Sequence, residues 1–158
     1  MIREYPDEAR SLFRKSSSKQ LTAELLDDLF TPRYSENGSN RRVKEECIMM
    51  NFTHFLEDVE AGDAQTTVLC TETDDVSSVT LKLADILQFL TGSPSVPVFG
   101  FTSNASVKFE HTEVSRKLHV STCSLELCFP VNDVLLEYSS FKKDVIECII
   151  SSPGFGLV

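Results

Sequence analysis

The sequence predicts an α+β protein in which helices pack against a small sheet. Apolar residues recur at helical spacing in three stretches between residues 21 and 90, alternate with polar residues between residues 98 and 130, and return to helical spacing near the C-terminus. The chain has 158 residues, of which 41% are hydrophobic and 25% charged. These values are typical of one globular domain, or of one domain with an added helical piece.

The first helix is expected to follow a polar lead-in at residues 1–19. Four leucines between residues 21 and 29 repeat at helical spacing, and Thr22 and Ser18 are candidate caps. Pro32 would end this helix, because a proline nitrogen has no hydrogen to donate.

A hinge is predicted directly after this helix. Residues 35–40 read Ser-Glu-Asn-Gly-Ser-Asn and have nothing apolar to bury. The expected hinge residues are Asn37, Gly38, Ser39 and Asn40.

Two further helices follow the hinge. One of about 16 residues should end near Gly62 and carries a single apolar stripe. The next should end at Thr91 and Gly92, since prolines follow at once. Between them, residues 63–78 are acidic and predict a loop or a short edge strand. The two apolar faces are formed by Ile48, Phe52, Phe55, Leu56 and Val59, and by Leu83, Ile86, Leu87 and Leu90.

Alternating patterns predict three strands in the middle of the chain, and Pro130 ends the third. A final helix is expected from about Ser140 to Ser151. The residues that share one face of each strand are Val107 and Phe109, then Leu118, Val120 and Thr122, then Leu125, Leu127 and Phe129.

Charge excludes several classes of partner. Residues 1–46 carry nine basic and nine acidic side chains, so the net charge of −9 falls entirely on residues 47–158. An acidic body cannot neutralise phosphates, so neither nucleic acid nor an anionic membrane is expected as a partner. No apolar run reaches the ~20 residues of a membrane span, and no secretory signal is evident. A protein partner is expected instead, and the alternative interpretation is that the net charge only keeps the chain soluble.

The cysteines predict a reducing compartment, hence the cytosol or the nucleus. Five cysteines occur and none forms a Cys-x-x-Cys pair. A zinc site would have to use His111, His119, Cys123 and Cys128, whose spacing fits no common zinc module. If residues 118–129 formed one extended chain, Cys123 and Cys128 would point to opposite faces. The sequence therefore predicts no metal and no cofactor.

Cys123 differs from the other cysteines, which lie in or beside apolar runs. It follows Ser121 and Thr122 at the junction between two strands, and strand alternation places His119 and Cys123 on the same polar face. An exposed thiol within reach of an imidazole can form a nucleophilic thiolate. An exposed cysteine without function is the alternative interpretation, and His111 has no evident partner.

Three motifs resemble the C-terminal lobe of HECT-type ubiquitin ligases. Residues 85–92 and 96–101 (Asp-Ile-Leu-Gln-Phe-Leu-Thr-Gly and Val-Pro-Val-Phe-Gly-Phe) are similar to the "LLxFxTG…xPxxGF" signature of that family. Residues 121–130 are similar to the segment around its catalytic cysteine, and residues 152–158 to its tail. The helix that contains residues 55–58 is most similar to short fish-type relatives of the vertebrate G-two/M-phase-specific HECT ligase.

The resemblance implies a division of the chain. Residues 42–158 would form the C-terminal lobe, and residues 20–41 the last helix and hinge of an N-terminal lobe. Most of that N-terminal lobe, where the family docks its ubiquitin-conjugating enzyme, would be absent.

The resemblance also implies the chemistry. Cys123 would accept ubiquitin as a thioester and pass it to a substrate lysine, with ubiquitin, a conjugating enzyme and a protein substrate as partners. Supporting roles would fall to Thr122 near the thiolate, to His119, and to Phe155 as an anchor of the tail. The alternative is a non-catalytic module that binds ubiquitin or a ligase. Redox or cysteine-protease chemistry is a weaker third interpretation.

Overall fold

The computed structural model describes residues 20–69, 76–97, 105–111 and 117–152. Helices and strands mix along this part of the chain, and a small sheet packs against helices, so the α+β prediction is confirmed. The helices are α1 (Ala23–Leu29), α2 (Asn40–Ala61), α3 (Leu83–Thr91), α4 (Asp133–Leu136) and α5 (Tyr138–Ile150). The strands are β1 (Phe30–Pro32), β2 (Gln65–Leu69), β3 (Val76–Thr80), β4 (Ala105–Glu110), β5 (His119–Ser121) and β6 (Glu126–Pro130).

Four of the strands form a mixed sheet in the order β1-β4-β6-β5. β1 and β6 both run parallel to β4, whereas β5 is antiparallel to β6. β2 and β3 form a separate antiparallel pair. The acidic stretch predicted as a loop or edge strand therefore contributes a strand, and the chain adds a second one at residues 76–80.

One face of the main sheet packs against α2 and α5. Phe129 of β6 is fully buried and contacts Phe52 of α2 edge-on, with ring centroids 5.6 Å apart. It also lies 5.8 Å from the ring of Phe141 in α5. This aromatic cluster fixes the two long helices on the sheet.

α2 is longer than its apolar stripe predicted, at 22 residues. The side chain of Ser39 accepts a hydrogen bond from the Arg42 backbone and so caps the N-terminus. Gly62 ends the helix with a positive φ of 83°, as its position in the sequence predicted. The polar first turns are therefore helical because of the cap.

Residues 20–34 pack into the same core as the rest of the chain. Ala23, Leu26 and Phe30 are buried in the continuous apolar cluster. The predicted hinge follows as a turn at Asn37 and Gly38, whereas Ser39 is the cap of α2 and Asn40 is its first residue. Core contacts thus join the segments on the two sides of the predicted division between residues 41 and 42. The division into two lobes itself stays a prediction.

The first helix is confirmed with its predicted cap, Thr22, but the predicted end at Pro32 is wrong, because the helix ends at Leu29 and the chain continues as strand β1. The last helix begins at Tyr138, two residues earlier than predicted, and the four-residue helix α4 precedes it. No described helix combines the length and the apolar character that crossing a membrane requires.

Candidate active site

The β5–β6 hairpin presents Cys123 to solvent. Ser121 pairs with Glu126 at the end of the hairpin, so residues 122–125 form its turn. Cys123 is exposed in this turn, and the Ser124 hydroxyl donates a hydrogen bond to the Ser121 hydroxyl at 2.7 Å. The thiol therefore projects from a short turn whose two ends are fixed by strand pairing.

Leu125 anchors the turn to the core. Its φ is +50°, the one positive value among non-glycine residues in the described ranges. Its side chain is only 6% exposed, and its carbonyl accepts a hydrogen bond from the Ser106 backbone of β4 at 2.9 Å. A left-handed conformation costs a leucine about 1–2 kcal/mol, so burial and this hydrogen bond hold the turn in its conformation.

A groove of about 510 Å³ lies beside the turn, between α3, β5 and the end of α5. Phe89, Thr122 and Cys148 are among the side chains that line it. α3 ends at Gly92, whose φ is +77°, and a Cβ atom at this position would lie 3.8 Å from the Cβ atom of Thr122. The turn that carries Cys123 thus rests against the end of α3.

The other described thiols are less accessible. Burial, and then the charges of Glu126 and Glu110, raise the pKa of Cys128. Burial, and then the charge of Asp144, raise the pKa of Cys148. Cys47 is half-buried and donates to a backbone carbonyl of residue 136 at 3.6 Å. Among the described cysteines, Cys123 is therefore the exposed nucleophile candidate.

His119 lies at the start of β5, and its Nε2 atom is 4.0 Å from Oε1 of Glu110. No hydrogen bond joins the imidazole to the Cys123 thiol in the part of the chain that the structure describes. Ligand atoms of His119, Glu110 and Cys128 lie within 4.8 Å of one another. Within the described part of the chain, these three residues are the group that could hold a metal ion.

A buried carboxylate that sequence reasoning missed lies on α2. Glu45 is 1% exposed and accepts hydrogen bonds from the backbone and the hydroxyl of Ser35 at 2.7 and 2.6 Å. Nε2 of His111 lies 2.6 Å from Oε1 of the same carboxylate, so this histidine has the partner that the sequence did not reveal. A signal was present, because Glu45 continues the inward stripe of Ile48 and Phe52 by one helical turn.

Burial alone would raise the pKa of Glu45. The hydrogen bonds from Ser35 and the interaction with His111 outweigh this effect and hold the pKa below its usual value. The carboxylate therefore ties the turn after β1 and the residue after β4 to α2.

Parts of the predicted site fall outside the described residues. They include Phe155, the rest of the terminal motif from residue 153 onward, and residues 98–101 of the first motif. Thr122 lies in the turn beside Cys123 and faces the groove, as given above.

Comparison with known proteins places the chain in a family. No curated protein matches it. The model of the HECT domain, described as a ubiquitin-transferase domain, matches residues 76–158, which is more than half of the chain. This range begins at β3 and contains the groove, the hairpin and Cys123. The chain therefore belongs to the HECT-domain family of ubiquitin transferases.

Proposed function

We propose that this protein accepts ubiquitin as a thioester on Cys123 and transfers it to a lysine of a protein substrate. The observation that carries this proposal is the exposed thiol of Cys123 within the matched domain. The thiol lies in a turn whose two ends are fixed by strand pairing. Partners are ubiquitin, a ubiquitin-conjugating enzyme and the protein substrate. Five cysteines and an acidic body fit activity in the cytosol or the nucleus.

The first step exchanges one thioester for another. The Cys123 thiol gives up its proton, and its sulfur attacks the carbonyl carbon that joins ubiquitin to the conjugating enzyme. A new C–S bond forms, the old C–S bond breaks, and the departing thiolate takes up a proton. This exchange is nearly balanced in energy, so the protein acts mainly by positioning, which can lower a barrier by about 7–11 kcal/mol.

The second step forms the stable product. A substrate lysine amine attacks the thioester on Cys123, an isopeptide bond forms, and the Cys123 thiolate leaves. Thr122 lies next to the nucleophile and supports the turn against Gly92. His119 acts as a supporting imidazole on the same hairpin, and Phe155 anchors the tail during transfer.

Transfer between two partners requires movement of the lobe. We place the pivot at the exposed turn of Asn37 and Gly38, while Ser39 and Asn40 move with α2 as its cap and first residue. We also propose that, within the family, this chain is related to the short fish-type relatives of the G-two/M-phase-specific ligase, because the helix sequence around residues 55–58 is most similar to theirs.

The test is thioester formation with ubiquitin, activating enzyme and a panel of conjugating enzymes, read on non-reducing and reducing gels. The wild type should give an adduct that thiols cleave, and Cys123→Ser should give none or only a thiol-resistant ester. Cys47→Ser is the matched control, since it removes another described thiol and leaves the turn intact. An adduct that persists unchanged in Cys123→Ser would contradict the proposal.

A non-catalytic binding module is the competing function. It predicts that wild type and Cys123→Ser bind ubiquitin or a separate HECT N-terminal lobe equally well and that neither forms an adduct. If a folded chain behaves in this way, the transfer proposal is wrong and the binding module is the function that remains.

A further inference from the structure

One face of the main sheet brings together metal-ligating side chains from three strands, and of these only His119 also has a supporting role in the proposed transfer. His119 and Cys128 are direct partners across the β5–β6 pair. Lys108 of β4 is the partner of Cys128 on the other side, and Glu110 lies two residues further along β4. Because side chains alternate along strands, Glu110, His119 and Cys128 all lie on the same face.

We propose that Glu110, His119 and Cys128 form a zinc-binding site, one ligand from each of three adjacent strands. A thiolate, an imidazole and a carboxylate are the ligand types that zinc takes, whereas magnesium and calcium prefer oxygen alone. Three protein ligands leave a fourth position for water in a tetrahedral site.

The distances fit after a small movement. Nε2 of His119 lies 4.0 Å from Oε1 of Glu110, and all three ligand atoms lie within 4.8 Å. Tetrahedral zinc brings such atoms to about 3.3–3.7 Å from one another. The His119 side chain is 51% exposed, so the movement is assigned to rotation of this imidazole toward the other two ligands.

The thiol is the fixed member of the set. Cys128 is buried on a strand with neighbours on both sides, and its Sγ atom lies 3.8 Å from Oε1 of Glu126. The other oxygen of Glu126 forms an ion pair with Lys108 at 2.6 Å, so the cation of Lys108 lies close to the thiol. Zinc binding would displace the Cys128 proton to solvent.

The hairpin explains why the sequence predicted no metal. That prediction rested on ligand spacings that fit no common zinc module and, in addition, on an extended chain across residues 118–129, whereas the chain reverses at residues 122–125. Because of this reversal, His119 pairs with Cys128 across the two strands. An extended chain would instead have placed His119 on the same face as Cys123. Glu110 is 18 positions before Cys128 and joins them through the parallel pairing of β4 with β6.

Cobalt(II) is the probe, because a cobalt–thiolate bond absorbs in the near ultraviolet where the free ion does not. The full chain is reduced, treated with a chelator that is then removed, and titrated with cobalt without oxygen. We expect saturation at one equivalent and loss of the absorbance when zinc is added. Cys128→Ser should abolish the absorbance, and Cys123→Ser should retain it. This pair compares two cysteines five positions apart on one hairpin.

His119→Ala and Glu110→Gln keep the test valid if Cys128→Ser does not fold. Both change partly exposed side chains, and each should weaken cobalt binding at least tenfold with a native circular dichroism spectrum. Absorbance that does not saturate at one equivalent, that persists in Cys128→Ser, or that disappears in Cys123→Ser would overturn the proposal. So would unchanged affinity in His119→Ala. The assay contains no ubiquitin, so its outcome does not depend on the transfer activity of Cys123.

Discussion

Leu125 shows how a single residue sets the conformation of the turn that carries Cys123. Its backbone takes a left-handed conformation that most side chains avoid, and it does so two positions after Cys123. A buried leucine side chain and the hydrogen bond to Ser106 compensate. Strain of this kind is typical of residues that support functional turns.

At Leu125, the glycine variant is therefore expected to be more stable than the alanine variant, which is the reverse of the usual order. Leu125→Ala and Leu125→Gly both lose the buried side chain, but only glycine relieves the left-handed strain of about 1–2 kcal/mol. Leu125→Gly should consequently be more stable than Leu125→Ala, by about 1 kcal/mol in urea unfolding. Leu127 is the control, because it is buried in β6 without a positive φ, and there alanine should be more stable than glycine. If the alanine variant is more stable than the glycine variant at both positions, Leu125 is not strained.

Glu45 predicts a measurable effect on stability. Glu45→Gln replaces a carboxylate that accepts two hydrogen bonds from Ser35 by an amide that can accept fewer. We expect the free energy of unfolding at pH 7 to fall by about 1–3 kcal/mol, as for other buried groups that lose a partner. Glu46→Gln, on the exposed side of the same helix, is the control and should change it by less than about 0.5 kcal/mol.

The effect at Glu45 should depend on pH. Its pKa is lower in the folded chain than the unfolded value of 4.5, so its stabilisation is present above pH 4.5 and is lost as the pH falls through the folded pKa. The stability difference between wild type and Glu45→Gln should shrink below pH 4.5. A difference that is constant from pH 7 to pH 3 would show that the carboxylate charge does not matter.

Sequence reasoning at the residue scale found what local pattern encodes. The junction around Cys123 and the cap at Thr22 could be predicted, because neighbours along the chain determine both. The partner of His111 could not, since Glu45 is 66 positions away and meets it only after folding. The same holds for Glu110 beside His119 and Cys128.

At the scale of elements, the end of α3 lies against the β5–β6 hairpin. Gly92 ends α3 in a left-handed conformation directly against Thr122. No atom lies close enough to exclude a methyl group there, so any penalty for a side chain comes from the backbone alone.

Gly92→Ala should lower the free energy of unfolding by about 1 kcal/mol or slightly more, because alanine adopts positive φ with strain. Gly92→Asn should be less destabilising, since asparagine tolerates this conformation at helix ends. Thermal or urea unfolding of the three proteins measures the order. Equal stability of the wild type and Gly92→Ala would contradict the strained cap.

β1 was missed because its stability comes from a distant partner. It has three residues, one of them a proline, and it is a strand because it pairs with β4 some 75 positions away. β3 was missed although its partner β2 is close in the chain, because it is polar apart from its two valines. The long helices were predicted because apolar spacing and caps are local, whereas the polar first turns of α2 and the short helix α4 were missed.

At the scale of the whole molecule, the core joins the segment before the predicted hinge to the lobe after it. Phe30 is 3% exposed in the same apolar cluster as Val107 and Phe129, and β1 lies at the edge of the main sheet. Movement about a pivot at Asn37 and Gly38 would have to separate β1 from β4. Because this would break core contacts, the packed arrangement is the stable one for the chain by itself.

Phe30→Ala should therefore weaken the whole molecule. Removing a buried phenylalanine side chain costs about 3–5 kcal/mol, and we expect one cooperative unfolding transition at a lower urea concentration. Val43→Ala, at an exposed position of α2, is the control and should shift the transition by less than about 0.5 kcal/mol. Two separate transitions, only the first of them affected, would indicate that residues 20–41 fold independently.

The proposed role of Cys123 as the ubiquitin acceptor can be tested by the intact mass of the charged protein. The wild type, charged through a conjugating enzyme, should gain the mass of one ubiquitin and lose it on treatment with thiol. Cys123→Ser should show either no adduct or one that resists thiol and is cleaved by mild alkali, as an ester is. Cys47→Ser should behave like the wild type. A thiol-sensitive adduct on Cys123→Ser, or a folded wild type that no conjugating enzyme can charge, would contradict the account.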